Sequence, residues 1–266
     1  MTTPQSNPKL IKHDKKDVST AVRVFELLDV VSHANPHLGL SLSEISKSLK
    51  ASKSTAHRYL QTLERLGVIE RNERDNYHLG WKMLNLAGDY LNNLDLPNLA
   101  DPYMRDLSKK TQETVHLSVP TNNEVIYIGK VNSPHSIQMV ARIGITMPMH
   151  CTSLGKSILA YLPDDQVNEI IQQGLPVKTP NTITSPENLR NNLEQVRLMG
   201  YAVDDVENEE GVRCIGAPVF NFSQHVIAGI SISGPDNRIT SERIQKLGLI
   251  VKETALAISR RMGYPK

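Results

Sequence analysis

Hydrophobic positions recur along this chain with two periods, and the balance between them changes along its length. Ala21, Val24, Phe25, Leu28 and Val31 stand at helical spacing. They predict one buried stripe of an amphipathic helix, with Ser19 or Thr20 as its N-cap. Asn35-Pro36 and Gly39 close that helix. A short helix follows, with Ser43 as its cap, Glu44 in its first turn, and Ile45 and Leu49 buried. After a tight break at Lys50-Ala51-Ser52, a third helix runs from about Lys53 to Leu66 and stops at Gly67. Val68-Ile69-Glu70 and Tyr77-His78-Leu79 then read as two short strands joined by a polar turn over 71–76. Trp81, Leu84, Leu86, Ala87, Tyr90 and Leu91 predict a linking helix over 81–96.

Beyond Pro97 and Pro102 the pattern alternates between period 2 and period 3.6. Strands are expected at Val115–Val119, Val125–Lys130, Gln138–Ala141, Ala202–Asp204, Ile215–Phe220 and Val226–Ser233. Helices are expected at Asp101–Thr111, Leu154–Leu162, Asp165–Gln173, Pro186–Met199 and Ser241–Met262. Ser185 followed by Pro186 and Glu187 is a clear helix start. The fold class is therefore α/β (α+β), with a boundary near 94–100. The organisation reads as a disordered basic tail over 1–17, three helices and a hairpin over 18–80, the linking helix over 81–96, and a mixed domain over 97–266.

Composition narrows the function classes. The chain has 266 residues, 39% of them hydrophobic, which is enough for a sizeable core. Thirty Lys and Arg against 28 Asp and Glu leave a net charge of +2, so any contact with nucleic acid needs a local patch. Two distant cysteines exclude a disulfide-dense scaffold and a four-cysteine zinc site. No apolar run approaches the roughly 20 residues of a membrane span, and no signal core opens the chain. A cytoplasmic protein is expected.

Three helices and a hairpin describe a winged helix-turn-helix. In its third helix Ala56, Tyr59, Leu60, Leu63 and Leu66 face inward, while Ser54, His57, Arg58 and Gln61 share the opposite face. Ser52, Lys53, Ser54 and Thr55 lead into the major groove, where small hydroxyls permit close approach to the backbone. Arg71 and Arg74 on the wing are placed to reach an adjacent phosphate or minor groove. The expected partner is double-stranded DNA, which a dimeric helix-turn-helix would read as an inverted repeat.

The second half offers a helix start at Thr152-Ser153, where free N–H groups would hold a carboxylate. Ser231 and Ser233 alternate onto one strand face. A metal site from His150, Cys151 and Cys214 lacks ligand spacing. A Cys151–His150 nucleophile lacks an orienting group. The Gly155-Lys156 pair lacks the earlier glycine of a phosphate-binding loop. No cofactor or metal is expected. An enzyme tethered by a winged helix is the alternative reading.

Several motifs stand in order along the chain: Leu42-Ser43-Glu44-Ile45, Ser52 through Leu60, Gly67-Val68-Ile69-Glu70, Glu113-Thr114-Val115-His116-Leu117, Ser153-Leu154-Gly155-Lys156, Glu210 through Val219, and Gly229 through Pro235. From about residue 18 to 264 the chain resembles the IclR family of bacterial transcriptional regulators. The resemblance implies a GAF-like effector-binding domain, no enzymatic activity, a homodimer or homotetramer, and a small organic acid as effector. It places the effector against Met139, Met147, Ser153, Leu154, Asp204, Val212, Cys214, Ser231 and Ser233. Ser153 and Leu154 stand where relatives that sense small oxo-acids carry glycine and alanine. The segments around His116, Ile143 and Arg213 look more like the branch, similar to the 2-keto-3-deoxygluconate regulon repressor, that controls sugar-acid catabolism.

Overall fold

The computed structural model describes residues 18–35, 38–92, 95–135 and 142–265. The tail assigned to 1–17 and the strand expected at Gln138–Ala141, with Met139, lie outside the described residues. The chain divides into two compact units, Met1–Leu94 and Asp95–Lys266.

The first unit holds α1 (Ser19–Ser32), α2 (Leu42–Ser48), α3 (Lys53–Arg65), the hairpin strands β1 (Ile69–Arg71) and β2 (Tyr77–Leu79), and α4 (Trp81–Asn92). Its core joins Leu27, Val30 and Val31 of α1 to Ile45, Leu49, Leu60, Leu63, Ile69 and Tyr77. The stripe of α1 is rotated from the one expected. Leu27 and Val30 are buried, whereas Phe25 is 65% exposed and Ala21 also faces solvent. Buried Glu26 explains how a polar residue sits in that stripe, because Arg23 pairs with it at 3.0 Å. Val18, not Ser19 or Thr20, precedes the first turn, and it offers no side-chain cap.

The start of α2 also differs from expectation. Ser41 is the cap and Ser43 lies inside the first turn. The Ser41 hydroxyl accepts from the Glu44 N–H at 3.3 Å, and the Glu44 carboxylate accepts from the Ser41 N–H at 2.8 Å. This reciprocal box satisfies two donors that a helix start otherwise leaves open. At the far end of α3, Leu66 is 55% exposed rather than buried.

The second unit is a six-stranded antiparallel sheet of order β5-β4-β3-β8-β7-β6. Its strands are β3 (Thr114–Thr121), β4 (Glu124–Val131), β5 (Thr146–Pro148), β6 (Ala202–Asp205), β7 (Val212–Phe220) and β8 (Val226–Pro235). The helices are α5 (Leu96–Thr111), α6 (Ser153–Leu159), α7 (Asp164–Gln172), α8 (Pro186–Met199) and α9 (Ile244–Arg261), the last preceded by a 3-10 turn at Ser241–Arg243. The α5 helix begins five residues before the expected Asp101, capped by Asp95, and carries Pro102 inside it.

Strand alternation sorts the sheet into two faces. Val115, Leu117, Ile215, Ala217, Ile230 and Ile232 are all buried, on the face that packs against α5 and α9. The opposite face lies under α6, and there the strands carry polar side chains.

The Ser41→Ala substitution removes the capping box and should cost the first unit about 1 kcal/mol. Urea denaturation followed by the fluorescence of Trp81, the chain's single tryptophan, measures it. Ser43→Ala should leave the midpoint nearly unchanged.

Candidate functional site

The α3 helix presents a clean division of faces. Ala56, Leu60 and Leu63 are buried, while Ser52, Lys53, Ser54, Thr55, Arg58 and Gln61 are exposed and His57 is half-buried. Ser52 caps the helix, its hydroxyl accepting from the Thr55 N–H at 3.1 Å. The hydroxyls of Ser54 and Thr55 lie 2.9 and 2.8 Å from it. The leading turn is therefore a preformed hydroxyl cluster, on a helix that also exposes Lys53 and Arg58, whose side chains can donate to base edges and phosphates.

The two wing arginines differ. Arg71 pairs with Glu64 of α3 and with Asp75, each at 3.4 Å, and its guanidinium stands 5.2 Å above the Tyr77 ring. It braces the hairpin against α3. Arg74 is exposed at the hairpin tip, where Asn72 accepts from its N–H at 2.9 Å.

In the second unit one row of side chains crosses every strand of the sheet, and it is polar on all but β5. From edge to edge it runs Met147, Tyr127, His116, then Ser231 and Ser233, Cys214 and Asp204. Register sets the row: His116 pairs with Ser231, Cys214 with Ser233, and Asp204 with Cys214. Over it sits the start of α6. A Cβ on Gly216 would stand 2.8 Å from the Ser153 carbonyl group, so glycine there admits the helix backbone. Thr152 caps α6, accepting from the Gly155 N–H at 3.0 Å and donating to the Pro148 carbonyl at 2.6 Å.

Between row and helix lies a cavity of about 290 Å³. Of the residues assigned to an effector site, Met147, Ser153, Leu154 and Asp204 line it, as do Val212, Cys214, Ser231 and Ser233. Thr152, read as part of the helix start, lines it as well; the sequence reading missed His116, Tyr127, Ile145, Asn208 and Glu209, which line it too. The alternation Thr114-x-His116-x-Ser118 was the available signal, placing three polar residues on one strand face. Arg142 is exposed and does not line the cavity.

Burial sets the protonation states. Asp204 Oδ1 accepts from the N–H groups of Glu207 at 2.8 Å and Asn208 at 3.3 Å. Those bonds favour its charged form, but burial outweighs them and pushes the carboxyl up to about 7. Burial also takes the His116 imidazole down to about 3, so it is neutral at physiological pH. The ring stacks on Tyr127 with centroids 4.8 Å apart. Beneath the cavity wall, fully buried Lys156 of α6 forms an ion pair with Glu207.

The two thiols are not activated. Burial pushes Cys151 up to about 12 and Cys214 well above its usual value. His150 donates through Nε2 to the Pro176 carbonyl at 3.0 Å. Among the described residues no group of three His, Cys, Asp or Glu is placed to hold a metal. Two motif residues are braces: Arg238 grips Glu113 through two bonds of 2.9 and 2.6 Å, and Arg213 binds Asp205 at 2.7 Å. No helix among the described residues is long and apolar enough to cross a membrane.

A winged helix-turn-helix in one unit and a polar cavity roofed by a helix in the other define a class of two-unit DNA-binding regulator. The chain belongs to the IclR family of bacterial transcriptional regulators. Residues 20–73 match the IclR helix-turn-helix domain, and residues 88–260 match the family's C-terminal domain. The HTH-type transcriptional regulator KdgR of Escherichia coli K12 is 40% identical over 250 residues, 93% of this chain and 94% of that one. The regulator XynR of the same organism is 33% identical over 93% of this chain and 98% of that one. The Agobacterium tumefaciens repressor BlcR covers 94% of this chain and 99% of its own, with a TM-score of 0.80 at 29% identity.

The raised Asp204 carboxyl makes stability depend on pH. A buried acid that keeps its proton up to about pH 7 stabilises the fold most below the unfolded value near 4. That contribution is lost as pH rises through about 7. Asp204→Asn keeps an oxygen for the two N–H groups and cannot ionise. Thermal melts should show the variant gaining on wild type from pH 5 to pH 8. Parallel curves across that range would contradict the assignment.

Proposed function

We propose that this regulator is a repressor whose operator binding is controlled by a small organic acid of the sugar-acid class, held in the cavity. The observation that carries the reading is the row of polar side chains on five of the six strands beneath the α6 start. A sheet face under a helix is ordinarily apolar, and polar groups there call for a ligand. The names of similar proteins point the same way: KdgR and XynR are transcriptional regulators, and AllR of Escherichia coli is a transcriptional repressor.

In this reading the acid's carboxylate lies at Ser153 and Leu154, where the first N–H groups of α6 have no partner within the helix. Ser231 and Ser233 bond its oxygens, while Met147, Val212 and Cys214, with Met139, complete the walls. Asp204 accepts from a ligand hydroxyl. The described lining holds Asp204 and Glu209 and neither Lys nor Arg. That charge balance suits a polyhydroxylated acid better than a bare oxo-acid.

The DNA-reading side chains are Ser52, Lys53, Ser54, Thr55, His57, Arg58 and Gln61, with Arg74 at the wing tip and Arg71 behind it. A homodimer or homotetramer in the cytoplasm would read an inverted repeat, its half-sites a helical turn or a multiple apart.

Fluorescence anisotropy on DNA upstream of the gene and its neighbours tests the DNA side. Arg58→Ala should weaken binding by about 1–3 kcal/mol if it contacts a base. Wild-type protein that fails to bind these fragments at low salt would sink the proposal. On the cavity side, Ser233→Ala should bind a captured sugar acid more weakly by calorimetry, by about 1 kcal/mol. Unchanged affinity would remove that residue from the site.

A further inference from the structure

The second unit holds another recess, of about 180 Å³, which shares no lining residue with the first cavity. Its floor is apolar, made by Pro218 and Phe220 of β7 with Ala255 and Leu256 of α9. Two phenol rings flank Phe220. Tyr264 stacks on it with centroids 5.1 Å apart, and Tyr161 meets it edge-on at 5.0 Å.

The rim is cationic. Arg197 of α8 donates from Nη1 to the Ala160 carbonyl at the end of α6, at 2.8 Å. Lys252 of α9 donates from Nζ to the Met199 carbonyl at the end of α8, also at 2.8 Å. Gly200, left-handed at φ +78, makes room for the lysine, since a Cβ there would stand 2.6 Å from Lys252 Cε. Basic side chains often cap helix ends in this way. A cap needs neither an aromatic recess nor a second cation beside it. No Asp or Glu lines the recess. Among the described residues neither cation forms an ion pair, and neither phenol hydroxyl has a hydrogen-bond partner. Burial and the neighbouring Tyr264 push the Tyr161 phenol up while Arg197 pulls it back, so these three polar groups act on one space. An ammonium has three donors and a guanidinium five, and each spends one here. A helix end offsets only about half a charge, so two ends leave about one positive charge over the recess.

We propose that this recess is a second ligand site, for a small monoanion with a flat apolar body, such as an aromatic carboxylate. Its ring lies on the apolar floor beside Phe220, and its carboxylate accepts from the donors of the rim. A cavity of about 150 Å³ holds one benzene ring, so this one has room for a single ring and its acid group. Aromatic walls favour a ring over an aliphatic chain, because offset and edge-to-face pairs add to area burial. The assignment is independent of what fills the first cavity.

The test uses the full chain labelled with carbon-13 in its tyrosine rings, which places a reporter in each cavity: Tyr127 in the first, Tyr161 and Tyr264 in the second. The probes are benzoate, benzyl alcohol, which keeps the ring without the charge, and acetate, which keeps the charge without the ring. Benzoate should shift the Tyr161 and Tyr264 signals saturably, and bind more tightly than either control by about tenfold or more. Lys252→Met keeps a chain over Gly200 and removes the charge, and it should weaken benzoate at this site by about tenfold or more. Benzyl alcohol that binds as tightly as benzoate leaves only an apolar slot, and this overturns the anion site without any variant. So does benzoate that moves Tyr127 while Tyr161 and Tyr264 stay still, or that moves none of the three. Unchanged benzoate affinity in Lys252→Met would return that lysine to the role of a helix cap and overturn the site.

Discussion

The second unit depends on how closely the backbone of α6 lies against the sheet. Two glycines without side chains set that distance. A Cβ at Gly216 would come within 2.8 Å of the Ser153 carbonyl group, and one at Gly155 within 2.3 Å of the Met149 Cα. The first contact is backbone of a strand against backbone of the helix start. The second folds the turn after β5 onto the helix. Neither can be relieved by a side chain swinging aside. Together they bring Ser153 and Leu154 down onto the polar row and close the cavity from above. Gly229 extends the seat, since a Cβ there would meet Leu154 Cδ2 at 3.0 Å.

That seating carries Lys156 wholly inside, and a buried ammonium must be paired. Glu207 supplies the charge from the turn between β6 and β7. Removing one partner of such a pair typically costs about 3–5 kcal/mol, because the other charge is left in the interior. The turn itself is strained: Val206, a β-branched residue, has φ +59. Neighbouring hydroxyls hold it there. Thr179 donates to the Val206 carbonyl and Thr182 to the Glu207 carbonyl, each at 2.6 Å. Asp204 takes the next two N–H groups. The outcome is that Asn208 and Glu209 stand in the cavity wall, fixed from α6, from the strand β6 and from the 179–182 segment at once.

Local chemistry was legible wherever a single rule decided it. Ser185-Pro186-Glu187 started α8 where expected, and the inward and outward faces of α3 separated as read except at Leu66, in its final turn. Errors came where two rules competed. Ser43 beside Glu44 looked like a cap, but the box needs its acid three positions on, and Ser41 holds that place. Pro102 looked like a helix boundary, yet Asp95 and Pro97 had already started α5, which absorbs the missing N–H. Phe25 looked buried because a paired glutamate was not considered as a core neighbour. The cavity was legible chiefly through family resemblance. Strand order β4-β3-β8-β7 is non-local, and only that order sets His116 beside Ser231 and Ser233. No spacing along the chain contains that juxtaposition.

A sensor built this way works within a narrow energy range. A ligand shifts a protein between two states only by its difference in affinity for them. Couplings between sites are typically about 1–3 kcal/mol. A cavity of about 290 Å³ admits only a small molecule, and its lining offers a few hydroxyls, a carboxyl and an imidazole. Each such hydrogen bond contributes about 1 kcal/mol net. One or two bonds made in one state and not the other therefore supply the whole coupling. The Lys156–Glu207 pair stands outside that sum, because neither residue lines the cavity. The buried ion pair and the cavity-lining hydroxyls are thus separate sets of residues. Loss of a cavity hydroxyl would therefore leave the α6 seat, and the fold that depends on it, intact.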